Sequence, residues 1–356
     1  MNSLTRELKK KGAKITRTQV DELLNSDFST DFHPFKEYFR MLPEATGDAN
    51  IRAYADRVKV KDPQGASGVT LNGKELTNAD WFQECLKRWL IATVAGATDD
   101  DIVNHSVLIL VGAQGIGKTM YTRKLLPDAL GKYYYNGVIN PDDKDMLIHL
   151  AECFLILWDE MCVTTRGEAG KIKEIITKDK IRVRRPYGRY ADTLNRHASI
   201  IGSVNNSDLL NDTTGSRRFL IHEVESIDYN SSVKIDDLWA EVYTCYKSGY
   251  KHWFDEDEIK QINVYNTKFE QQDEVEQRLI AQFRPNDGSR ESLKLTATEI
   301  MDMLYQDTNR KYAKRDVRDL GKILKKHGFT SARSGNTTKY QLINVESSIK
   351  RKMFNI

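Results

Sequence analysis

The sequence predicts a mixed α/β protein, and three observations support that prediction. Between residues 105 and 225, short apolar runs typical of buried strands are separated by helical or loop segments. This alternation is typical of an α/β core. One of these runs, 107–111, leads directly into a glycine-rich loop. Residues 1–56 and 236–283 place apolar side chains near the 3.6-residue period of a helix.

The glycine-rich loop fits the phosphate-binding pattern G-x-x-x-x-G-K-[ST]. Its glycines allow backbone N–H groups to turn toward phosphate oxygens without a Cβ in the way. We expect Lys118 to reach the β- and γ-phosphates and Thr119 to hold Mg²⁺, while the following helix directs the positive end of its dipole at the anion. The alternative is a flexible loop without chemistry. The residues predicted to bind ATP are Gly112, Ala113, Gln114, Gly115, Ile116, Gly117, Lys118, Thr119 and Met120.

Two later apolar strands end in polar residues. The first is followed by Asp159 and Glu160. In P-loop ATPases this strand lies beside the phosphate loop, so we expect Asp159 to order Mg²⁺ and Glu160 to activate the attacking water. The second strand ends at Asn205, whose amide can hydrogen-bond the γ-phosphate and the attacking water. The alternatives are carboxylates that end a strand in solvent and an ordinary turn asparagine.

Arg217 and Arg218 directly precede a further strand-like run. An arginine at this position can stabilise transition-state charge in the site of a neighbouring subunit, as an arginine finger does. The sequence does not distinguish between the two residues, and the alternative is a surface ion pair.

Basic residues are concentrated in two stretches, although the formal net charge is only +3. Residues 171–190 contain eight Lys or Arg against two acids, and residues 310–333 contain nine against two. In the first stretch basic and apolar residues alternate, which puts the basic side chains on one face of a strand before a Pro-Tyr-Gly turn. We predict a hairpin that binds single-stranded DNA, and a solvated surface hairpin is the alternative. Its predicted DNA contacts are Lys180, Arg182, Arg184, Arg185, Tyr187 and Arg189.

The second basic stretch lies in a C-terminal segment that outlines two helices followed by a hairpin. Thr296 and Glu299 are spaced for a capping box at the start of the first helix. The second helix places apolar residues on one side and basic residues on the other, so we predict a winged-helix-like domain that contacts duplex DNA. A protein-docking module is the alternative. The predicted contacts are Arg315, Arg318, Lys322, Lys325 and Lys326.

The composition favours a cytoplasmic protein. No apolar run approaches the roughly 18 residues of a membrane-spanning helix, and the polar N-terminus shows no secretory signal. The four cysteines have no zinc-binding spacing. We predict a mostly helical region over 1–75, a P-loop ATPase core over 76–235, a helical connector over 236–284 and the winged-helix-like domain over 285–356.

The order of these motifs resembles the virulence-associated protein E (VapE-like) family of phage and mobile-element P-loop proteins. The resemblance covers about 32–224. It rests on His33-Pro34, Trp89-Leu90-Ile91-Ala92, Gly115-Ile116-Gly117-Lys118, Arg185-Pro186-Tyr187-Gly188-Arg189, Gly202-Ser203-Val204-Asn205 and Thr214-Gly215-Ser216-Arg217-Arg218-Phe219.

The resemblance implies an AAA+-like core similar to superfamily 3 replicative helicases, which form hexameric rings. The basic hairpin would then project into the channel of the ring, and the protein would translocate on single-stranded DNA at forks during replication in a bacterial host. Many family members carry an upstream primase–polymerase or zinc-binding region for which this sequence has no room, so priming is expected from a separate primase or replication protein. Two alternatives remain: an ATP-controlled DNA-binding switch without unwinding activity, and a P-loop phosphotransferase.

Overall fold

The computed structural model describes most of the chain, and the chain divides into two compact units, Met1–Glu270 and Gln271–Ile356. The finer division into four segments remains a prediction. Four predicted site residues, Glu160, Arg185, Tyr187 and Arg189, lie outside the described residues, as does the side chain of Arg315. The described residues are 2–24, 26, 32–140, 142–159, 166–184, 191–205, 216–230, 232–269, 274–286, 292–306, 312, 314–334 and 337–345.

The first unit alternates helices and strands along most of its length. Its helices are α1 (Asn2–Lys10), α2 (Arg17–Leu24), α3 (Pro34–Met41), α4 (Ala49–Ala55), α5 (Asn78–Thr98), α6 (Lys118–Lys124), α7 (Lys144–Glu152), α8 (Arg166–Thr177), α9 (Ile235–Lys247) and α10 (Glu256–Asn266). Its strands are β1 (Val58–Val60), β2 (Ala66–Leu71), β3 (Lys74–Thr77), β4 (Val107–Val111), β5 (Tyr134–Gly137), β6 (Leu155–Trp158), β7 (Lys180–Val183), β8 (Asp192–Asn195), β9 (Ser199–Val204) and β10 (Phe219–Ile227). Short 3₁₀ turns cover Asp128–Leu130, Ser216–Arg218 and Thr267–Phe269.

A six-stranded sheet forms the centre of this unit, in the order β1-β10-β4-β9-β6-β5. Strands β10, β4, β9, β6 and β5 are parallel to their neighbours, whereas β1 runs antiparallel at the edge. Every residue of β4, β6 and β9 is buried, as expected for central strands of a sheet that is covered on both faces. The predicted mixed α/β fold is therefore confirmed, and the carboxyl ends of the parallel strands meet at one edge of the sheet.

Helices α1 to α4 lie within residues 1–56, and the segment after them contains three strands. The sequence of residues 58–73, rich in Gly, Pro and Asp, predicts a loop or a short hairpin. The structure has the antiparallel hairpin β2–β3 there, and it also has β1, in which Val58 pairs with Ile227 of β10. A run of three residues is too short to show the two-residue period of a strand. The strand β1 forms because these residues pair with β10 in the folded chain.

Helix α5 contacts β1 and β4 of the sheet, and most of its residues are buried. The indole N–H of Trp89 donates to the carbonyl of Ile200 in β9 at 3.2 Å, which ties the helix to the centre of the sheet. The sequence predicts Asn78 or Asp80 as the N-cap of this helix. The structure corrects this: Thr77 is the N-cap, and its Oγ1 accepts a hydrogen bond from the Asp80 N–H at 3.1 Å.

The second unit has its own core. It contains α11 (Glu274–Gln282), β11 (Phe283–Pro285), β12 (Leu293–Thr296), α12 (Ala297–Tyr305), α13 (Lys314–Lys326), β13 (Ser331–Ser334) and β14 (Thr337–Asn344). Strand β14 pairs antiparallel with β11, β12 and β13. The predicted capping box of α12 is present: Thr296 Oγ1 accepts from the Glu299 N–H, and the Glu299 carboxylate accepts from the Thr296 N–H. Apolar side chains from all three helices form the core, including Leu279, Ile300, Leu304, Leu320 and Leu324.

Among the described residues, no helix combines the length and the apolar character needed to cross a bilayer.

Candidate functional site

The glycine-rich loop leaves the carboxyl end of β4, which lies between β10 and β9 in the sheet. Gly115 and Gly117 have φ values of +85° and +100°, in the left-handed region that favours glycine. Gly117 precedes the first residue of α6, so the free N–H groups of that helix start face the loop. The sequence therefore folds locally into a turn that can surround an anion.

Lys118 points back into the loop and is buried, with 5% of its surface exposed. Its ammonium donates to the carbonyls of Gly112 and Ala113 at 2.6 and 2.8 Å and to Asn205 Oδ1 at 3.1 Å. All three acceptors are neutral oxygens, so these bonds leave the positive charge uncompensated. Burial lowers the pKa of Lys118, and the Asp159 carboxylate opposes that shift. A buried cation of this kind favours an anionic ligand.

Thr119 and Asp159 also meet at this loop. Thr119 Oγ1 lies 3.4 Å from Asp159 Oδ2, and together they offer the hydroxyl and carboxylate oxygens that Mg²⁺ prefers. The strand that carries Asp159 does not pair with β4, because β9 lies between β6 and β4. The carboxyl ends of these parallel strands nevertheless share one edge, which is why Asp159 and Asn205 both reach the loop.

These residues line a cleft of about 320 Å³. Its wall also contains Ser203 and Tyr229, which the sequence analysis did not identify. The Tyr229 ring lies against the loop so closely that a Cβ on Gly117 would come within 2.3 Å of Tyr229 Cδ1. Tyr229 follows the end of β10, far from the loop in sequence, and no local pattern marks it. The full lining is Gln114, Gly115, Gly117, Lys118, Thr119, Met120, Asp159, Ser203, Asn205 and Tyr229.

Two neighbouring contacts hold Tyr229 in place. Its carbonyl accepts a hydrogen bond from the ammonium of Lys124 in α6. Its neighbour Asp228 makes two hydrogen bonds with Arg57: the Asp228 N–H donates to the Arg57 carbonyl at 2.8 Å, and the side-chain Nε of Arg57 donates to the Asp228 carbonyl at 2.9 Å. These bonds hold the backbone of Tyr229 beside the cleft.

Arg217 and Arg218 lie away from this cleft. Phe219 pairs with Val107, the first residue of β4, so both arginines lie at the amino ends of the parallel strands. Arg217 is exposed and Arg218 is partly buried. They line a separate cavity of about 400 Å³ that includes His105 and Thr177. The structure thus does not bring them to the phosphate loop of the same chain.

The basic strand has the expected two faces. Ile181 and Val183 of β7 are buried, whereas Lys180, Arg182 and the following Arg184 are exposed. β7 pairs with β8 in a separate antiparallel hairpin. The predicted turn of this hairpin, with Arg185, Tyr187 and Arg189, lies outside the described residues.

A buried arginine fixes the base of this hairpin. Arg196, just after β8, is 1% exposed, and its guanidinium donates to the carbonyls of Ile175 and Ile176 in the last turn of α8 and to the Asn104 carbonyl. Burial lowers its pKa to about 10, while Asp179 acts in the opposite direction. A cation that binds carbonyls at a helix C-terminus is stabilised by the helix dipole.

In the second unit, α13 presents the predicted basic surface. Leu320 and Leu324 are buried, whereas Arg318, Lys322, Lys325 and Lys326 are exposed. Lys322 pairs with Asp319, and Lys326 pairs with Glu276 of α11. Part of this positive charge is therefore balanced within the unit.

Comparison with known proteins identifies the family. A sequence model of the virulence-associated protein E-like domain matches residues 70–271, more than half of the chain. The chain belongs to this VapE-like family. The matched range includes the phosphate loop, Asp159, the β7–β8 hairpin and both arginines, whereas α1 to α4 and nearly all of the second unit lie outside it.

Solved structures similar to this VapE-like chain include the apo structure of the NrS-1 C-terminal region. The two are 12% identical, with a TM-score of 0.47, over 86% of this chain and 78% of the other. SCCmec type IV Cch, an active helicase, is 11% identical with a TM-score of 0.38, over 86% of this chain and 72% of the other. A search of curated proteins gave no match.

Proposed function

We propose that this chain is an ATP-dependent, ring-forming DNA helicase or replication initiator of a phage or mobile element, which translocates on single-stranded DNA. The observation that supports it most is the meeting of the buried Lys118 ammonium, Thr119 and Asp159 at a glycine loop on the carboxyl end of a central parallel strand. We assign this arrangement to an AAA+-like P-loop core that binds ATP through Gly112 to Met120.

In this proposal Lys118, Thr119, Asp159, Glu160 and Asn205 each have one role. Lys118 exchanges its bonds to neutral carbonyls for bonds to the β- and γ-phosphates of ATP, and Asn205 contacts the γ-phosphate. Mg²⁺ held by Thr119 and Asp159 would neutralise phosphate charge. Glu160, the residue after Asp159, takes a proton from the attacking water. Catalysis then consists mainly of positioning and charge stabilisation, as in other phosphoryl transfers.

The positions of Arg217 and Arg218 explain why copies of this chain would assemble. Because they lie at the opposite end of the parallel strands from the cleft of their own chain, we assign one of them to the cleft of a neighbouring copy. A cyclic arrangement repeats this contact at every interface, and the family resemblance suggests six copies. ATP turnover then requires a homo-oligomer.

DNA contacts are assigned to the two basic surfaces. The exposed face of β7, with Lys180, Arg182 and Arg184, would bind the backbone of single-stranded DNA in the channel, together with Arg185, Tyr187 and Arg189 of the turn. The second unit, with its helices, sheet and basic α13, is assigned as a winged-helix-like module that holds duplex DNA at a fork. A separate primase or replication protein would provide primers.

The first experiment measures ATP hydrolysis with and without single-stranded DNA over a range of protein concentrations, alongside unwinding of a forked duplex. Cooperative, DNA-stimulated turnover with strand separation supports the helicase. Stimulated turnover without unwinding favours the ATP-controlled switch, and turnover indifferent to DNA favours a P-loop phosphotransferase. Lys118→Ala is the inactive control, whereas Glu160→Gln should retain ATP and stabilise the oligomer.

Mixing two inactive variants tests the assignment of the arginines. A Lys118→Ala chain keeps its arginines, and an Arg217→Ala or Arg218→Ala chain keeps its phosphate loop. If an arginine acts on a neighbour, the mixture regains part of the ATPase activity, because some interfaces combine an intact loop with an intact arginine. A mixture that stays as inactive as its components for both arginines would refute the assignment.

A further inference from the structure

A second cluster of ligating side chains lies away from the nucleotide cleft. His33 directly precedes α3, Asp100 lies between α5 and β4, and His197 lies between β8 and β9. One ligating atom from each residue lies within 4.8 Å of the others. The centroids of the two imidazole rings are 5.0 Å apart. Three distant parts of the chain thus bring two imidazoles and a carboxylate together.

His197 already has the hydrogen bond that a metal-binding histidine needs. Its Nδ1 lies 3.0 Å from the carbonyl of Gly96, and a carbonyl can only accept, so Nδ1 carries the ring proton. The lone pair of a neutral imidazole is then on Nε2. A bond from the second ring nitrogen to a carbonyl is the usual outer contact that orients a metal ligand.

Lys36 makes both contacts that a metal would replace. Its backbone N–H donates to His33 Nδ1 at 3.3 Å, and its ammonium lies 3.3 Å from Asp100 Oδ1. A metal on His33 Nε2 would leave the ring proton on Nδ1, so Nδ1 would no longer accept the Lys36 N–H. A metal on Asp100 would displace the Lys36 ammonium from that carboxylate. The Lys36 side chain is 42% exposed, so it is free to move into solvent.

We propose that His33, Asp100 and His197 bind a divalent transition metal ion, with Zn²⁺ the best fit. Imidazole nitrogens favour Zn²⁺ over Mg²⁺, so this site and the cleft at Asp159 differ in metal preference. Zinc bonds of 2.0–2.1 Å place tetrahedral ligand atoms about 3.4 Å apart, so ligand atoms that now lie within 4.8 Å of one another must approach to that distance. Asp100, with 51% of its side chain exposed, has room to do so. A water would complete the coordination.

The proposed ion lies at the opposite end of β9 from the nucleotide cleft. His197 precedes the first residue of β9, and Asn205 follows the last. The metal would join the start of α3 to the end of α5 and to β9. We therefore assign it a structural role in attaching the N-terminal helices to the sheet, and ion binding raises the stability of the folded state by mass action.

The test uses the full chain after chelator treatment, with Zn²⁺ alone as the probe. Bound zinc is measured by equilibrium dialysis and mass spectrometry, and the melting temperature is recorded in parallel. We expect one high-affinity Zn²⁺ per chain in the wild type and in Asp101→Asn, the matched control next to the site. Asp100→Asn and His197→Gln should each weaken that binding about tenfold or more, since ligands matter at least as much as outer contacts.

The Lys36→Met variant should bind zinc more tightly than the wild type, in contrast to the Asp100 and His197 variants. Because it removes the competing ammonium, zinc affinity and the zinc-dependent rise in melting temperature should both increase. Equal zinc binding by wild type, Asp100→Asn and Lys36→Met would overturn the proposal and assign the ion to other groups, such as the free thiol of the half-buried Cys245. A rise in melting temperature with Mg²⁺ equal to the rise with Zn²⁺ would also overturn the proposal.

Discussion

Substitution of Gly117 by alanine tests the contact between the phosphate loop and Tyr229. The φ of Gly117 is +100°, and an alanine in the left-handed region costs about 1–2 kcal/mol. The added Cβ would also lie 2.3 Å from Tyr229 Cδ1 and 3.0 Å from Cε1, so the ring or the loop must move. Overpacking of this kind costs about 1–3 kcal/mol. Gly117→Ala should therefore lower the free energy of unfolding by about 2–5 kcal/mol.

Gly115→Ala is the matched control. Its φ is +85° and a Cβ there would meet nothing within 4 Å, so it should cost only the backbone term of about 1–2 kcal/mol. Tyr229→Ala in the Gly117→Ala background removes the ring that the new Cβ meets. The double variant should regain most of the free energy of unfolding that the steric clash removes. The resulting double-mutant cycle gives the interaction energy between the new Cβ and the Tyr229 ring.

The assays are urea unfolding without nucleotide and titration with a fluorescent ATP analogue. We expect Gly117→Ala to lose more stability and more nucleotide affinity than Gly115→Ala. If the two alanine variants are equally stable, or if removal of the Tyr229 ring brings no recovery, then the ring does not restrict the loop in solution.

Three further predictions concern the basic strand, the buried arginine and the second unit. The double variant Arg182→Glu with Arg184→Glu should weaken single-stranded DNA binding and make the fall of log affinity with log salt concentration less steep by about 1.4, with unchanged ATP affinity. An unchanged slope would exclude phosphate contacts at these two residues. Arg196→Met should cost more than about 3 kcal/mol in urea unfolding, because hydrogen bonds from a buried charged group are lost, whereas the exposed control Arg40→Met should cost less than about 1 kcal/mol. Thr296→Ala should destabilise α12 by about 1 kcal/mol in amide hydrogen exchange, and Thr296→Ser, which keeps the hydroxyl, should not.

Local patterns explain which features the sequence predicted correctly. The glycine-rich turn after β4 is a continuous motif, the alternation along β7 depends on the two-residue period of a strand, and the capping box of Thr296 depends on a spacing of three residues. Each can be recognised without knowledge of distant contacts. The loop chemistry assigned to Lys118 and Asp159 remains a proposal, but the structure does bring these two residues to one cleft.

Features that depend on long-range contacts were missed. Tyr229 meets Gly117 only because β10 pairs with β4 and returns the chain to the loop. The cluster around His33 joins three segments that have no common motif. At the start of α5, Thr77, Asn78 and Asp80 are all good capping residues, and the choice among them depends on where β3 ends.

The polarity of β10 supports the proposed contribution of an arginine from a neighbouring copy. Tyr229, which lies against the phosphate loop, follows the carboxyl end of this strand, whereas Arg218 directly precedes its first residue. Nine residues of strand separate the two ends by about 26 Å, and hydrogen bonds to β4 and β1 hold the strand on both sides. A rigid strand of this length cannot bring its own arginine to its own cleft. If an arginine is needed for hydrolysis, ATP turnover must then rise more steeply than linearly with protein concentration, and strictly proportional turnover at concentrations where the protein is monomeric would show that a single chain completes its own site.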